Sequence, residues 1–138
     1  TASLYPGQAS VLLHFNDTLS RRIYAGSDLF LMPSRYEPCG LGQLIALRYG
    51  SVPLVHATGG LIDTVTDPQL SADHANGFVF HAYQHNSLLG CLDRALATYA
   101  KPEQWRKLML KGMTQDFSWG HAAEQYVDLY RLCTKELQ

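Results

Sequence analysis

An α/β fold, a parallel sheet of about four strands with flanking helices, is what this 138-residue sequence predicts. Three observations lead there. Short apolar runs alternate with stretches of helical period, the pattern of strands joined by helical crossovers. Two of the runs are followed by small, glycine-bearing connections. The last third carries helix-period apolar residues only, as expected of helices laid against a sheet.

Taken in order, Thr1 to Gln8 ends in the turn signal Tyr5-Pro6-Gly7. Val11-Leu12-Leu13-His14-Phe15 reads as a first short strand, with Asn16-Asp17 capping a helix whose inward face carries Leu19, Ile23 and Tyr24. Leu29-Phe30-Leu31-Met32 is a buried parallel strand. After it comes Pro33-Ser34-Arg35-Tyr36-Glu37-Pro38-Cys39-Gly40-Leu41-Gly42-Gln43, then a helix to Tyr49 expected to bury Leu41, Leu44, Ile45 and Leu47 and to stop at Gly50. Val52-Pro53-Leu54-Val55 is the third strand, and Thr58-Gly59-Gly60-Leu61 its glycine-bearing connection. Residues 63 to 76 read as a surface loop, and Phe78-Val79-Phe80 as the fourth strand. Three helices finish the chain. The first is capped by Asn86 or Ser87, the second has Pro102 in its opening turn, and the third is capped by Ser118. The last carries a wide stripe of Trp119, Ala122, Ala123, Tyr126, Val127, Tyr130 and Cys133, which covers the sheet or meets a neighbour outside the chain.

The loop from Pro33 to Gln43 carries the chemistry. A connection from a strand's carboxyl end to a helix's amino end is where open α/β sheets bind ligands. Gly40 and Gly42 take side chains out of the way, so the free N–H groups of the first helical turn face an anion. Glu37 adds a carboxylate that accepts from hydroxyl groups. Amides for a phosphate beside a carboxylate for hydroxyls suggest a nucleotide-sugar site, although spacing alone leaves turn geometry and a solvated Glu37 open. Gly40-x-Gly42 is half of the dinucleotide fingerprint, because Ile45 stands where a third Gly would be. Cys39 sits near a helix amino terminus but lacks a sequence-evident histidine partner, and reads as a small buried packing residue.

Composition narrows the classes. Hydrophobic content of 46% with 17% charged residues fits one folded domain rather than a disordered chain. A net charge of −1 argues against a nucleic-acid partner, and no apolar run approaches the ~20 residues of a membrane span. No metal site is expected: His74, His81 and His85 fall around a strand end and a loop, without a Cys or carboxylate at ligand spacing. Gly-x-Ser-x-Gly, the serine-hydrolase elbow, is missing. Three well-separated cysteines, Cys39, Cys91 and Cys133, read as reduced thiols. The chain opens on Thr1, without Met or signal peptide, and we expect an excerpt of a longer protein or a processed product.

Pro33 to Leu41, Gln43-Leu44, Tyr49-Gly50, Pro53-Leu54-Val55, Thr58 to Leu61, Asp63-Thr64-Val65, Gly77 to Phe80 and Asp116 to Trp119 together resemble bacterial glycogen synthases and plant starch synthases. The resemblance implies a Rossmann-like fragment: the later part of the second, nucleotide-binding domain of a retaining glycosyltransferase of the GT-B type, residues 1–138 being one partial domain. It implies glucose transfer from ADP-glucose to the nonreducing end of an α-1,4-glucan, with no metal or other cofactor. The acceptor would bind through a first domain that this stretch lacks, together with the cations on the diphosphate, so the fragment alone is expected to be inactive. By position, Glu37 would hold hydroxyls of the donor glucose. Backbone N–H groups of Cys39, Gly40 and Leu41 would line sugar and phosphate. Gly42 would offer its amide to the distal phosphate, where relatives often add a Thr hydroxyl. Phe15 would lie against adenine, and Thr58, Gly59 and Gly60 would floor the site or simply pack. Many retaining GT-B enzymes hold the ribose with a second Glu eight positions after the first; Ile45 stands there in this sequence. A non-catalytic nucleotide- or glucan-binding module and a UDP-glucose-dependent transferase are the alternatives. The resemblance implies the cytoplasm in a bacterial source and the plastid stroma in a plant or alga.

Overall fold

The computed structural model describes residues 2–135. After a short 3-10 turn, Ala2–Leu4, the chain runs irregularly to helix α1, Asp17–Gly26. Strand β1, Leu29–Met32, leads to α2, Gly42–Tyr49; β2, Val52–His56, leads to the one-turn α3, Leu61–Thr64, and on to β3, Phe78–Phe80. Three helices follow: α4, His85–Tyr99, α5, Pro102–Thr114, and α6, Trp119–Lys135.

The sheet has three parallel strands in the order β1-β2-β3. Leu29 pairs with Val52 and Met32 with Val55, while Leu54 pairs with Phe78 and His56 with Phe80. Central β2 is buried along its whole length, as a strand covered on both faces must be. On one face Val52, Leu54, Phe78 and Phe80 meet Cys91 and Ala95 of α4 and Trp105 and Leu108 of α5. On the other, Val55, Leu61 and Val65 form a smaller cluster with Met32 and Val79.

The expected first strand is not formed. Residues 11–15 are irregular, and Val11, Leu12, Leu13 and Phe15 are exposed. An apolar run becomes a strand only when an edge completes its hydrogen bonds and a layer covers its face, and no described element does either. The expected surface loop is also partly interior. It begins inside α3, and Val65, Asp67, Ala75 and Asn76 are buried. Its turns are built inward: Asp67 accepts from Gln69 N and Val79 N, while the Asn76 side chain accepts from Thr66 N and donates to Thr64 O. Arg94 of α4 closes on Asp67 at 3.0 Å and also donates to Val79 O and Gln69. Polar turn residues therefore fix the approach to β3.

Smaller differences concern which helix faces turn inward. The α2 helix buries Gln43, Ala46 and Leu47, whereas Leu41 and Ile45 are exposed. In α1, Leu19 and Tyr24 are half-buried and Ile23 is exposed. The α4 helix starts earlier than expected: Gln84 stands at its cap, where Asn86 or Ser87 was expected. In α5, Pro102 opens the helix, with Trp105 and Leu108 on the core. The α6 stripe does not cover the sheet: Trp119, Tyr126, Val127 and Tyr130 are exposed.

Candidate donor site at the carboxyl edge of the sheet

All three strands end on one edge, and the loops after β1 and β2 meet there backbone to backbone. Gly60 N donates to Glu37 O at 3.2 Å. A Cβ on Gly59 would overlap the Glu37 carbonyl, and one on Gly60 the Cys39 carbonyl. Gly59 also takes φ +48°, a conformation that other residues reach only with strain. These glycines are therefore required by the approach of the two loops, which is a packing role. Thr58 holds the turn with its own backbone, its N–H donating to His56 O and its O accepting from Leu61 N.

The structure brings together Glu37, Cys39, Gly40, Gly59 and Gly60. Glu37 is half-buried and accepts from Ser34 Oγ at 3.3 Å. Cys39 is exposed, not a buried packing residue, because the Gly60 side of the loop receives its backbone and leaves its thiol outside. Leu41 is exposed as well and occupies the cap position of α2, where no side chain caps the helix among the described residues. Uncapped N–H groups in the first turn carry the positive end of the helix dipole toward solvent. Gly42, the first residue of α2, lies beside Phe30, Met32 and the Tyr24 hydroxyl, so its lack of a side chain also serves the α1–β1 packing. Phe15 is not joined to this group. It is 93% exposed, in the irregular segment before α1, and enters none of the described aromatic pairs. Ile45 shows its side chain to solvent one turn into α2.

Two supporting residues escaped sequence reasoning. Gln43 is fully buried beneath the loop, and its Nε2 donates to Gly40 O at 2.9 Å, Cys39 O at 3.4 Å and Thr64 Oγ1 at 3.2 Å. It ties the Glu37 loop to α3. A glutamine on the inward face of an apolar helix was its signal. His56 is 8% exposed and spans the loops after β1 and β3, with Nδ1 2.8 Å from Ser34 O and Nε2 3.2 Å from His81 O. A histidine closing an apolar strand was its signal.

A hollow of about 210 Å³, lined by Pro33, Phe80, Tyr83, Gln84, His85 and Leu88, opens on the same edge. A larger one, about 340 Å³, lies between residues 68–75 and helices α4 and α5, lined by Asp73, Lys107 and Lys111 among others. The loops after β1 do not reach it. Among the described residues no three His, Cys, Asp or Glu side chains gather at one point, and no helix is long and apolar enough to cross a membrane.

Comparison with known proteins places the fold in a family. Residues 3–109 match the family described as Glycosyl transferases group 1. The glycogen synthase of Syntrophotalea carbinolica is 61% identical over 127 residues, covering 92% of this chain and 26% of that protein. That of Moorella thermoacetica is 52% identical over 128 residues, covering 92% and 26%. Among solved structures, the catalytic domain of starch synthase IV from Arabidopsis thaliana, bound to ADP and acarbose, superposes with a TM-score of 0.79 at 46% identity, over 87% of this chain and 25% of that one. Sucrose-phosphate synthase from Thermosynechococcus elongatus gives 0.68 at 25% identity, over 98% and 32%. The chain thus spans about a quarter of the length of the glycogen synthases it matches. Its parallel sheet with flanking helices is the Rossmann-like architecture of a GT-B glycosyltransferase fragment, and the chain belongs to the glycosyl transferases group 1 family.

Proposed function

We propose that this chain is the later part of the nucleotide-sugar-binding domain of a glucan synthase, which moves glucose from ADP-glucose to the nonreducing end of an α-1,4-glucan with retention. The observation that supports it most is the convergence, on one sheet edge, of the uncapped amino end of α2 and the half-buried carboxylate of Glu37. A similar catalytic domain binds ADP and acarbose, and two similar proteins are glycogen synthases. In this reading Glu37 accepts from glucose hydroxyls, the amides of Cys39, Gly40 and Leu41 line sugar and phosphate, and the Gly42 amide faces the distal phosphate. Gly59 and Gly60 hold the Glu37 loop in place. Phe15 moves against adenine only when residues 11–15 are ordered by the rest of the site.

The chemistry follows from charge. Breaking the sugar–phosphate bond leaves positive charge on the sugar and negative charge on the departing diphosphate. Helix-terminal amides already aimed at that charge stabilise it without reorganising. The cations and the acceptor come from outside these residues, so the chain alone transfers no glucose.

A donor assay on the longest protein that carries this chain tests the proposal. Glucose passes from ADP-glucose to glycogen, and Glu37→Ala lowers turnover by about a hundredfold. Unchanged turnover removes Glu37 from the site. Equal use of UDP-glucose overturns the donor assignment, and binding without transfer favours a non-catalytic module.

A further inference from the structure

The two ring nitrogens of His56 both face carbonyl oxygens, Ser34 O at 2.8 Å and His81 O at 3.2 Å. A carbonyl oxygen only accepts, and a neutral imidazole has one N–H to give. The neutral ring therefore makes one of these bonds and sets a lone pair against the other oxygen. The imidazolium makes both. We propose that His56 is a positioning residue of the donor site: as a doubly donating imidazolium it ties the loops after β1 and β3 together and thereby sets Glu37.

The surroundings fit a built-in staple. His56 ends the central strand, and its ring lies 5.2 Å from that of Phe80 and 5.0 Å from that of Tyr83. Ser34, whose carbonyl it binds, donates its hydroxyl to Glu37 Oε2, so two bonds separate the imidazole from the carboxylate. The His56 carbonyl meanwhile accepts from Thr58 N, which starts the turn against Glu37 O. One residue thus reaches the loops after all three strands. The titratable and charged groups nearby are Glu37 and Arg35 on the β1 loop, and Tyr83 and the exposed His81 after β3. None of the described hydrogen bonds or ion pairs puts a carboxylate on the ring, so its polar partners are the two carbonyls.

The sign follows. The protonated ring holds both loops, and loss of its proton as pH rises releases one of them. This inference rests on the donor-site reading, and its first readout needs no ligand. In two-bond 1H–15N spectra of the wild-type chain, recorded from about pH 5.5 to pH 8.5, the His56 ring is followed beside the amides of Arg35 and Ala82. Those amides belong to the peptide groups whose carbonyls the ring binds. We expect both to shift with the midpoint of the ring, or all three to stay fixed with both ring nitrogens protonated. A ring neutral throughout, or a titrating ring with either amide unmoved, overturns the staple.

The second readout is affinity for ADP-glucose, whose diphosphate has no ionisation in this range. Wild-type affinity falls about tenfold from the acid to the alkaline end, the scale of one lost charged hydrogen bond. His56→Arg keeps cationic donors at every pH and stays within about twofold of the acid wild type. His56→Gln has one donor end and one acceptor end, and is flat at the weak value. A His56→Gln chain with wild-type affinity and wild-type slope overturns the positioning role. Absence of ADP-glucose binding by the wild type, with ring and amides still titrating together, instead brings down the donor reading and the positioning role that rests on it, and leaves the staple standing.

Discussion

At the scale of single residues, the site depends on atoms that are missing. Gly60 has an ordinary backbone, φ −65°, so what bars alanine there is the close approach of the Cys39 backbone. Gly60→Ala should cost about 1–3 kcal/mol, the range of a forced overpacking, and weaken ADP-glucose binding as the loops part. Gly26→Ala is the control, since a side chain there meets nothing within 4 Å. Thermal unfolding of both checks this: equal melting temperatures would show that the loops do not press on one another. Gly59 and Gly60 were legible as a small-residue connection, but whether they contact ligand or chain was not. That distinction lies in which carbonyl faces the missing Cβ, a tertiary fact that one loop's sequence does not carry. Cys39 shows the same limit from the other side. Local sequence suggested burial, and the approach of a second loop left the thiol outside. Cys91 is the buried thiol, and burial pushes its pKa up while neighbouring Arg94 pulls it back.

At the scale of elements, the three late helices were legible from their long apolar period and β1, β2 and β3 from short apolar runs, of which only β2 is buried throughout; β1, expected to be buried, leaves Leu31 exposed. Residues 11–15 show why the expected first strand was not: an apolar run states a need for a partner, and pairing is decided elsewhere. The surface loop expected over residues 63 to 76 was misjudged because its polar turn residues look solvated. Asp67 in fact accepts two backbone N–H groups and pairs with Arg94, whose side chain is only 30% exposed. Asp67→Ala should therefore lower stability by about 2–4 kcal/mol, because it takes the counter-charge from a partly buried guanidinium and the side-chain acceptor from the N–H groups of Gln69 and Val79. Chemical denaturation measures it directly. A loss under about 0.5 kcal/mol, as for a surface ion pair, would mean that the segment is held by its backbone alone.

At the scale of the whole molecule, two apolar surfaces stand open, residues 11–15 and the α6 stripe with Trp119 at 87% exposure. The chain spans about a quarter of the length of the glycogen synthases it matches. The loops of the proposed donor site, by contrast, are fixed by Gln43, His56 and Gly60 within the chain itself. Part of the site should therefore work in isolation. Amide chemical-shift mapping of the 138-residue chain with ADP-glucose at about millimolar concentration reads the proposed donors themselves, and a weak complex suffices. We expect the largest shifts at Cys39, Gly40, Leu41 and Gly42, with Glu37→Ala reducing the response to ADP-glucose more than the response to ADP. A spectrum unmoved at saturating nucleotide sugar, or one whose shifts gather around Lys107 and Lys111 instead, would contradict the account.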